Sequence, residues 1–309
     1  MPETSSLEEP SVISLNWYRG LPTGAAVGLL DRARAADAEM DFSAPHRQST
    51  PASAHYVTAE VRTLLHRWNA PVSSEPQLAA VLTVITTPEQ IATIDFTVDP
   101  DFRSTGVATA VFEELGNEES ESRQWIGSGI TAFLGCAYGS HPAALRLGMR
   151  FDAVVIGERH HLLLPSHRDY RHSRAVSNSA RTAAVHIDER REEQVAATVW
   201  DQLRDKRTRP ATRIVSNTAT VDVDVHSGVG TIQKLTMTEP RSTPTGSALI
   251  AAVRAAVDFL WELGAESIET TVDTSDDELF GAFRSAAFQH DRTDLLFSRS
   301  SNCIESQPK

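Results

Sequence analysis

The residues best suited to chemistry lie in the run Asp99-Pro100-Asp101-Phe102-Arg103-Ser104-Thr105-Gly106-Val107-Ala108-Thr109. It joins an apolar segment, 91–98, to a segment of helical period. Arg-x-x-Gly-x-Ala at the start of a helix aims successive backbone amides at one point. Gly106 carries no side chain to block a ligand, and Ala108 keeps the next contact small. Those amides and the positive end of the helix dipole suit a pyrophosphate. Arg103 is placed to add a charge-assisted bond. The candidate contacts are the strand backbone of Phe96, Thr97 and Val98, followed by Arg103, Ser104, Thr105, Gly106, Val107, Ala108 and Thr109. An ordinary strand-to-helix turn also favours glycine, so the loop alone leaves both readings open.

A second run, Glu239-Pro240-Arg241-Ser242-Thr243-Pro244-Thr245-Gly246-Ser247-Ala248, matches the first. From the arginine to a following Phe (Phe151, Phe288) the distances are 48 and 47 residues. The shared Arg-Ser-Thr, helix start and span point to an internal duplication. The corresponding candidate contacts are Leu235, Thr236, Met237, Gly246 and Ser247.

Each loop needs a sheet and helices to hold it. Residues 25–36 carry an amphipathic helical pattern with Val27, Leu29, Leu30 and Ala33 available to one side. Strand character appears at 61–68, 79–87 and 91–98, the last two closely joined and therefore antiparallel. In the second half, 183–187 reads as a strand and 192–203 as a helix. Residues 220–225 and 231–237 form a hairpin through Ser227-Gly228, and a helix runs over 246–263, stopped by Gly264. The polar, Ser/Arg/His-rich stretch 166–181 reads as a linker, giving domains at 11–165 and 182–301. The expected class is α/β, a central mixed sheet flanked by helices in each domain.

Composition narrows the function. The chain has 309 residues, enough for two domains of about 150 residues. A net charge of −12 argues against a nucleic-acid partner, which requires a phosphate-neutralising basic face. The two cysteines, Cys136 and Cys303, are far apart and supply neither a disulfide framework nor metal-ligand spacing. His160, His161 and the linker histidines lack a Cys partner, so no metal is expected. No apolar run reaches membrane-spanning length, and residues 1–10 lack the basic and apolar regions of a signal peptide; a cytoplasmic location is expected. Glu118, Glu119, Glu121 and Trp125 read as a solvated insertion.

With these residues in place, the sequence resembles the GNAT (N-acetyltransferase) superfamily, whose Arg/Gln-x-x-Gly-x-Gly/Ala loop binds the pyrophosphate of acetyl-CoA. It is most similar to the tandem-domain mycothiol synthase family. The shared features are Leu15-Asn16-Trp17, Ala35-Ala36-Asp37, Phe96 to Pro100 before the loop, and Ala137-Tyr138-Gly139 with Pro142-Ala143-Ala144. Val272 to Asp276 and Phe283 to Phe288 stand where GNAT proteins carry Val-x-x-Asp-Asn and Tyr-x-x-x-Gly-Phe. The resemblance implies acetyl-CoA as co-substrate and a small-molecule amine as acceptor, in that family the cysteinyl amine of a pseudodisaccharide thiol precursor. The amine attacks the thioester, a carboxylate takes the proton, backbone amides hold the oxyanion, and a Tyr protonates the leaving thiolate.

This sequence departs from the pattern in its second copy. Thr231 replaces a Glu, Pro244 replaces the first loop Gly and removes an amide donor, Asp276 replaces Asn, and Phe283 replaces the Tyr. Residues 44–48 supply no Glu for the acceptor. The second copy is therefore expected to be eroded as a catalyst. In the first copy the candidate base is Asp95 and the candidate acid Tyr138, against the plainer readings of a solvated strand residue and a core aromatic. The expectation is an acetyl-CoA-dependent N-acetyltransferase. The alternatives are a non-catalytic acyl-CoA-binding homologue and an acetyltransferase for another primary amine.

Overall fold

The computed structural model describes residues 13–38, 54–64, 75–117, 120, 122–127, 129–165, 212–215, 219–237 and 246–300. The expected linker, the strand at 183–187, the helix at 192–203 and residues 44–48 lie outside them. The chain forms two compact units. The first takes the described residues through Val154 together with 297–300, and the second takes those from Val155 to Leu296.

In the first unit the strands are β1 (Ile13–Arg19), β2 (His55–Thr63), β3 (Gln77–Thr86), β4 (Ile91–Val98) and β5 (Ala132–Ala137). They are hydrogen-bonded in that order, with the end of β11 (Gln289–Ser300) beside β5. β1 to β4 are antiparallel, and β4 and β5 are parallel. β2 begins and ends earlier than the expected 61–68, because Val57, Ala59 and Val61 face the core in alternation with polar residues.

Helix α1 (Ala25–Ala38) buries Ala26, Leu29 and Ala33, a stripe at helical spacing, with Ala26 and Leu29 clustered on Val81 of β3. Val27, expected on that stripe, is exposed. Helix α2 (Val107–Gly116) covers the other face, packing Val107 and Val111 on Ala80, Leu82, Val84 and Ala92. Alternation in β3 makes this two-sided packing possible. The short helix α3 (Ser122–Ile126) carries Trp125, whose ring stacks on Trp17 with centroids 6.5 Å apart. Trp125 thus pairs with Trp17 while remaining exposed; Glu118, Glu119 and Glu121 lie outside the described residues. Helix α4 (Pro142–Arg150) follows β5 and is N-capped by His141, whose Nδ1 accepts from the Ala143 N–H.

In the second unit the order is β11–β6–β10–β9–β8–β7, from β6 (Val154–Leu164), β7 (Thr212–Val215), β8 (Ala219–His226), β9 (Val229–Met237) and β10 (Ser267–Asp273). The β8–β9 hairpin turns at Ser227-Gly228, both at positive φ, as a two-residue hairpin turn requires. Helix α5 (Gly246–Glu262) buries Val253, Val257 and Leu260 in one core with Leu162, Leu164, Val223, Ile232 and Ile268. It ends before Gly264, which adopts φ +86. Helix α6 (Asp277–Ser285) completes the core with Phe283.

The units therefore differ from the contiguous division at 165/182 read from the sequence. β6 counts with the second unit because its residues 159–164 pair with β10, from Asp273↔Arg159 to Ile268↔Leu164. Strand pairing, not chain order, assigns it.

Candidate acyl-CoA site

β4 and β5 pair in parallel only from Ile91↔Ala132 to Ile94↔Gly135. β4 then runs on to Val98 and β5 to Ala137 without further pairing between them, so a slot opens at their C-terminal ends. The slot has a defined chemistry. The Asp99 N–H bonds Ala79 O at 2.9 Å, so the backbone groups of Asp95 and Thr97 also face β3. Those of Phe96 and Val98 turn the opposite way, into the slot.

At the mouth of the slot is the loop. Asp99, 2% exposed, accepts from the Asp101 N–H and from Arg32 of α1 at 2.6 Å, which fixes the end of β4. Thr105 Oγ1 donates to Phe102 O at 2.6 Å. Ser104 and Gly106 both adopt positive φ, +63° and +92°. Gly106 is the N-cap of α2, and no side chain caps the helix there. A Cβ at Gly106 would stand in open space, so its role is the left-handed backbone and free access to the amides behind it. The amides of Val107, Ala108 and Thr109 precede the first intrahelical bond, Ala110 N–H to Gly106 O. The donor set of this helix start fits a pyrophosphate.

Arg103 is placed differently from its expected role. Its guanidinium makes two bonds to Asp37 of α1, at 2.6 and 3.0 Å, and Nε donates to Val98 O at 3.4 Å. Its charge is committed to holding the loop against α1. The sequence reading did not single out Arg32 or a tie from Asp37; the only signal was polar residues on the outer side of an amphipathic helix.

The two candidate catalytic residues do not share the face that forms a cavity. Asp95 is exposed and lies opposite Thr83, on the side of β4 that carries Thr97 and packs toward α1. Tyr138 opens a single turn of 3₁₀-helix, Tyr138–Ser140, directly after β5 and is half-buried. On the opposite face, Ile94 and Phe96 line a cavity of about 220 Å³ between α2, α4, β5 and residues 297–299. Its walls include Phe112, Leu115, Phe133, Leu147 and Phe151. Phe96 meets Phe112 edge-on at 5.5 Å, and Phe112 lies 5.6 Å from Phe151. Arg299 also lines the cavity, with a buried Nε that has no hydrogen-bond partner.

The second copy repeats the slot. β9 and β10 pair only from Val229↔Ser267 to Ile232↔Thr270. Leu235, Thr236 and Met237 continue beyond that point, paired to β8, with Thr236 and Met237 exposed. Gly246 and Ser247 open α5 and are exposed; residues 238–245, including Pro244, lie outside the described residues. Thr231 Oγ1 donates to Glu269 Oε1 at 3.2 Å. Asp276 is a helix cap, accepting from the Leu279 N–H at 3.0 Å.

The landmark after each last helix corrects the spacing read from sequence. α4 is followed by Asp152 at φ +55 and α6 by Ala287 at φ +73. These left-handed residues are the equivalent positions, so Phe288 corresponds to Ala153 rather than to Phe151. Four residues before each stand Gly148 and Phe283. Phe283 is buried against Phe288 at 5.0 Å; a Cβ on Gly148 would meet Phe297 Cε1 at 2.8 Å. Neither position offers a hydroxyl.

Outside the slots, His160 and His161 lie in β6, upstream of the expected linker. His161 Nε2 is 2.7 Å from Asp294 Oδ2, and the His160 ring lies tilted against Phe280 with centroids 4.9 Å apart. Burial, then the neighbouring His290, pushes the His160 pKa down. Among the described residues no group of three or more His, Cys, Asp or Glu is placed to hold a metal ion, and no helix is long and apolar enough to cross a membrane.

No family model and no curated protein sequence matches this chain. Solved structures do. A GCN5-related N-acetyltransferase from Sphaerobacter thermophilus is 15% identical, covering 92% of this chain and 95% of its own, with a TM-score of 0.50. A tandem GNAT protein from the clavulanic acid biosynthesis pathway is 14% identical, covering 96% of this chain and all of its own (100%), with a TM-score of 0.52. The fold is accordingly the GNAT fold in tandem, as the resemblance implied.

Proposed function

On this tandem GNAT fold, we propose that the chain is an acyl-CoA-dependent N-acyltransferase whose donor site is in the first unit. The observation that carries this reading is the slot beyond Ile94↔Gly135, ending at the uncapped N-terminus of α2 behind Gly106. The pyrophosphate of acetyl-CoA takes the amides of Gly106 to Thr109. The pantetheine arm lies along the slot-facing backbone of Phe96 to Val98, where the Phe96 and Val98 N–H groups point into the slot, and extends that edge as an added strand would. In the transfer, the amine nitrogen bonds the thioester carbon, the C–S bond breaks, and the proton lost by the amine ends on the departing CoA sulfur, which leaves as the free thiol. The slot-facing N–H groups of Phe96 and Val98 stand ready to hold the carbonyl oxygen as it gains charge. The acceptor is a small primary amine. The segments around Leu15-Asn16-Trp17 and Ala137 to Ala144 support the cysteinyl amine of the mycothiol precursor as that acceptor.

The test is titration of the full chain with acetyl-CoA, followed by assay of thiol release with that acceptor. Wild type binds and Gly106→Glu does not, because the new side chain puts a carboxylate into the cradle. Absence of binding by wild type at near-millimolar acetyl-CoA overturns the reading. A second reading, a non-catalytic acyl-CoA-binding protein, is favoured by Gly148 and Phe283 at the position of the family's aromatic acid. Binding without thiol release decides for it.

A further inference from the structure

The slot between β4 and β5 closes at Ile94 and Gly135, yet the cavity does not stop there. α2 and α4 both start near the open ends of the strands and run back along them. The cavity follows, reaching Leu115 and Leu147 in the later turns of the helices, and Phe133 where β5 is already paired. A pantetheine arm descending from Gly106 along Phe96 to Val98 brings its thioester to the closed end of the slot. The space beyond it is lined mostly by aromatic and aliphatic side chains from α2, β5 and α4, with Arg299 at its 297–299 wall. We infer that the first unit takes acyl-CoA donors whose acyl group is a hydrocarbon chain longer than acetyl, with the chain housed in this cavity. The inference rests on the proposed acyl-CoA reading and names the donor class for that same site.

Size and chemistry agree. An apolar cavity of about 150 Å³ holds a six-carbon guest such as benzene, and this one measures about 220 Å³. An acetyl methyl leaves most of that volume empty, whereas a six-carbon acyl chain buries four further carbons against Phe112, Phe133 and Phe151.

The experiment is calorimetric titration of the full chain with acetyl-CoA and hexanoyl-CoA, for wild type and for Ala144→Phe, which fills the cavity from α4. Hexanoyl-CoA is expected to bind wild type about tenfold or more tighter than acetyl-CoA, from burial of the extra methylenes. Ala144→Phe is expected to remove that preference and leave acetyl-CoA affinity unchanged. Equal affinities in wild type, or tighter acetyl-CoA, overturn the inference while leaving acyl-CoA binding intact. A preference that survives a folded Ala144→Phe also overturns it, since the chain then lies elsewhere. Should Ala144→Phe not fold, Leu147→Phe serves in its place and the wild-type comparison stands by itself. Failure of both donors to bind removes the proposed function and this inference with it.

Discussion

Gly148→Ala tests the packing that shapes the cavity. The added Cβ lands 2.8 Å from Cε1 and 3.0 Å from Cδ1 of Phe297, inside the contact distance of two carbons. Overpacking of this kind costs about 1–3 kcal/mol. Alanine in a helix interior is favoured over glycine by about 1 kcal/mol, and α4 places Gly148 within its last turn. The two effects oppose each other, so the single substitution is expected to destabilise by about 0–2 kcal/mol. In a Phe297→Ala background both contacting ring atoms are gone, the clash disappears and the helix gain remains. There Gly148→Ala is expected to stabilise by up to about 1 kcal/mol. The measurement is the shift in urea midpoint for wild type, both single variants and the double variant. A change of sign gives a coupling of about 1–3 kcal/mol. Equal effects of Gly148→Ala in both backgrounds would refute the reasoning, because they would mean that the ring yields freely.

Two further outcomes are expected. Asp37→Asn removes a carboxylate beside the loop and releases Arg103, so acetyl-CoA binding should tighten a few-fold at low salt, with the gain shrinking in 0.5 M salt; calorimetry that shows weaker binding would mean that loop order outweighs charge. His160 has its pKa lowered in the fold, so the folded protein binds fewer protons than the unfolded chain as pH falls. Its stability contribution is whole above the ordinary value of 6.5 and declines as pH falls through the lower folded value. His160→Phe should therefore flatten the fall in Tm between pH 7.5 and 5.5, and an unchanged slope counts against it.

Much of the frame was legible in the sequence because it rests on local rules. The 3.6-residue period marked 25–36 and 246–263 as helices, strand character and turn signals marked β4, β8 and β9, and glycines at Gly106 and Gly264 marked a helix start and a helix stop. The loop before α2 was legible for the same reason: its amides are ordered by consecutive residues. What consecutive residues cannot encode is partnership at a distance. That Arg103 spends its charge on Asp37, 66 residues away, follows from where α1 lies against the loop. That β6 counts with the second unit follows from its pairing with β10. The spacing from arginine to Phe suggested that Phe151 and Phe288 correspond, but positive φ at Asp152 and Ala287 sets the true equivalence.

The cavity shows the division most clearly. Its walls come from β4, α2, β5, α4 and the far end of the chain at Phe297, and no window of sequence contains them together. The sequence by itself determined a strand–loop–helix unit around Gly106, because backbone geometry there depends on near neighbours. Only the tertiary structure decided how far β4 and β5 separate and what lies beyond the point where they close. That is set by which side chains meet across the sheet, and apolar burial has no direction along the chain.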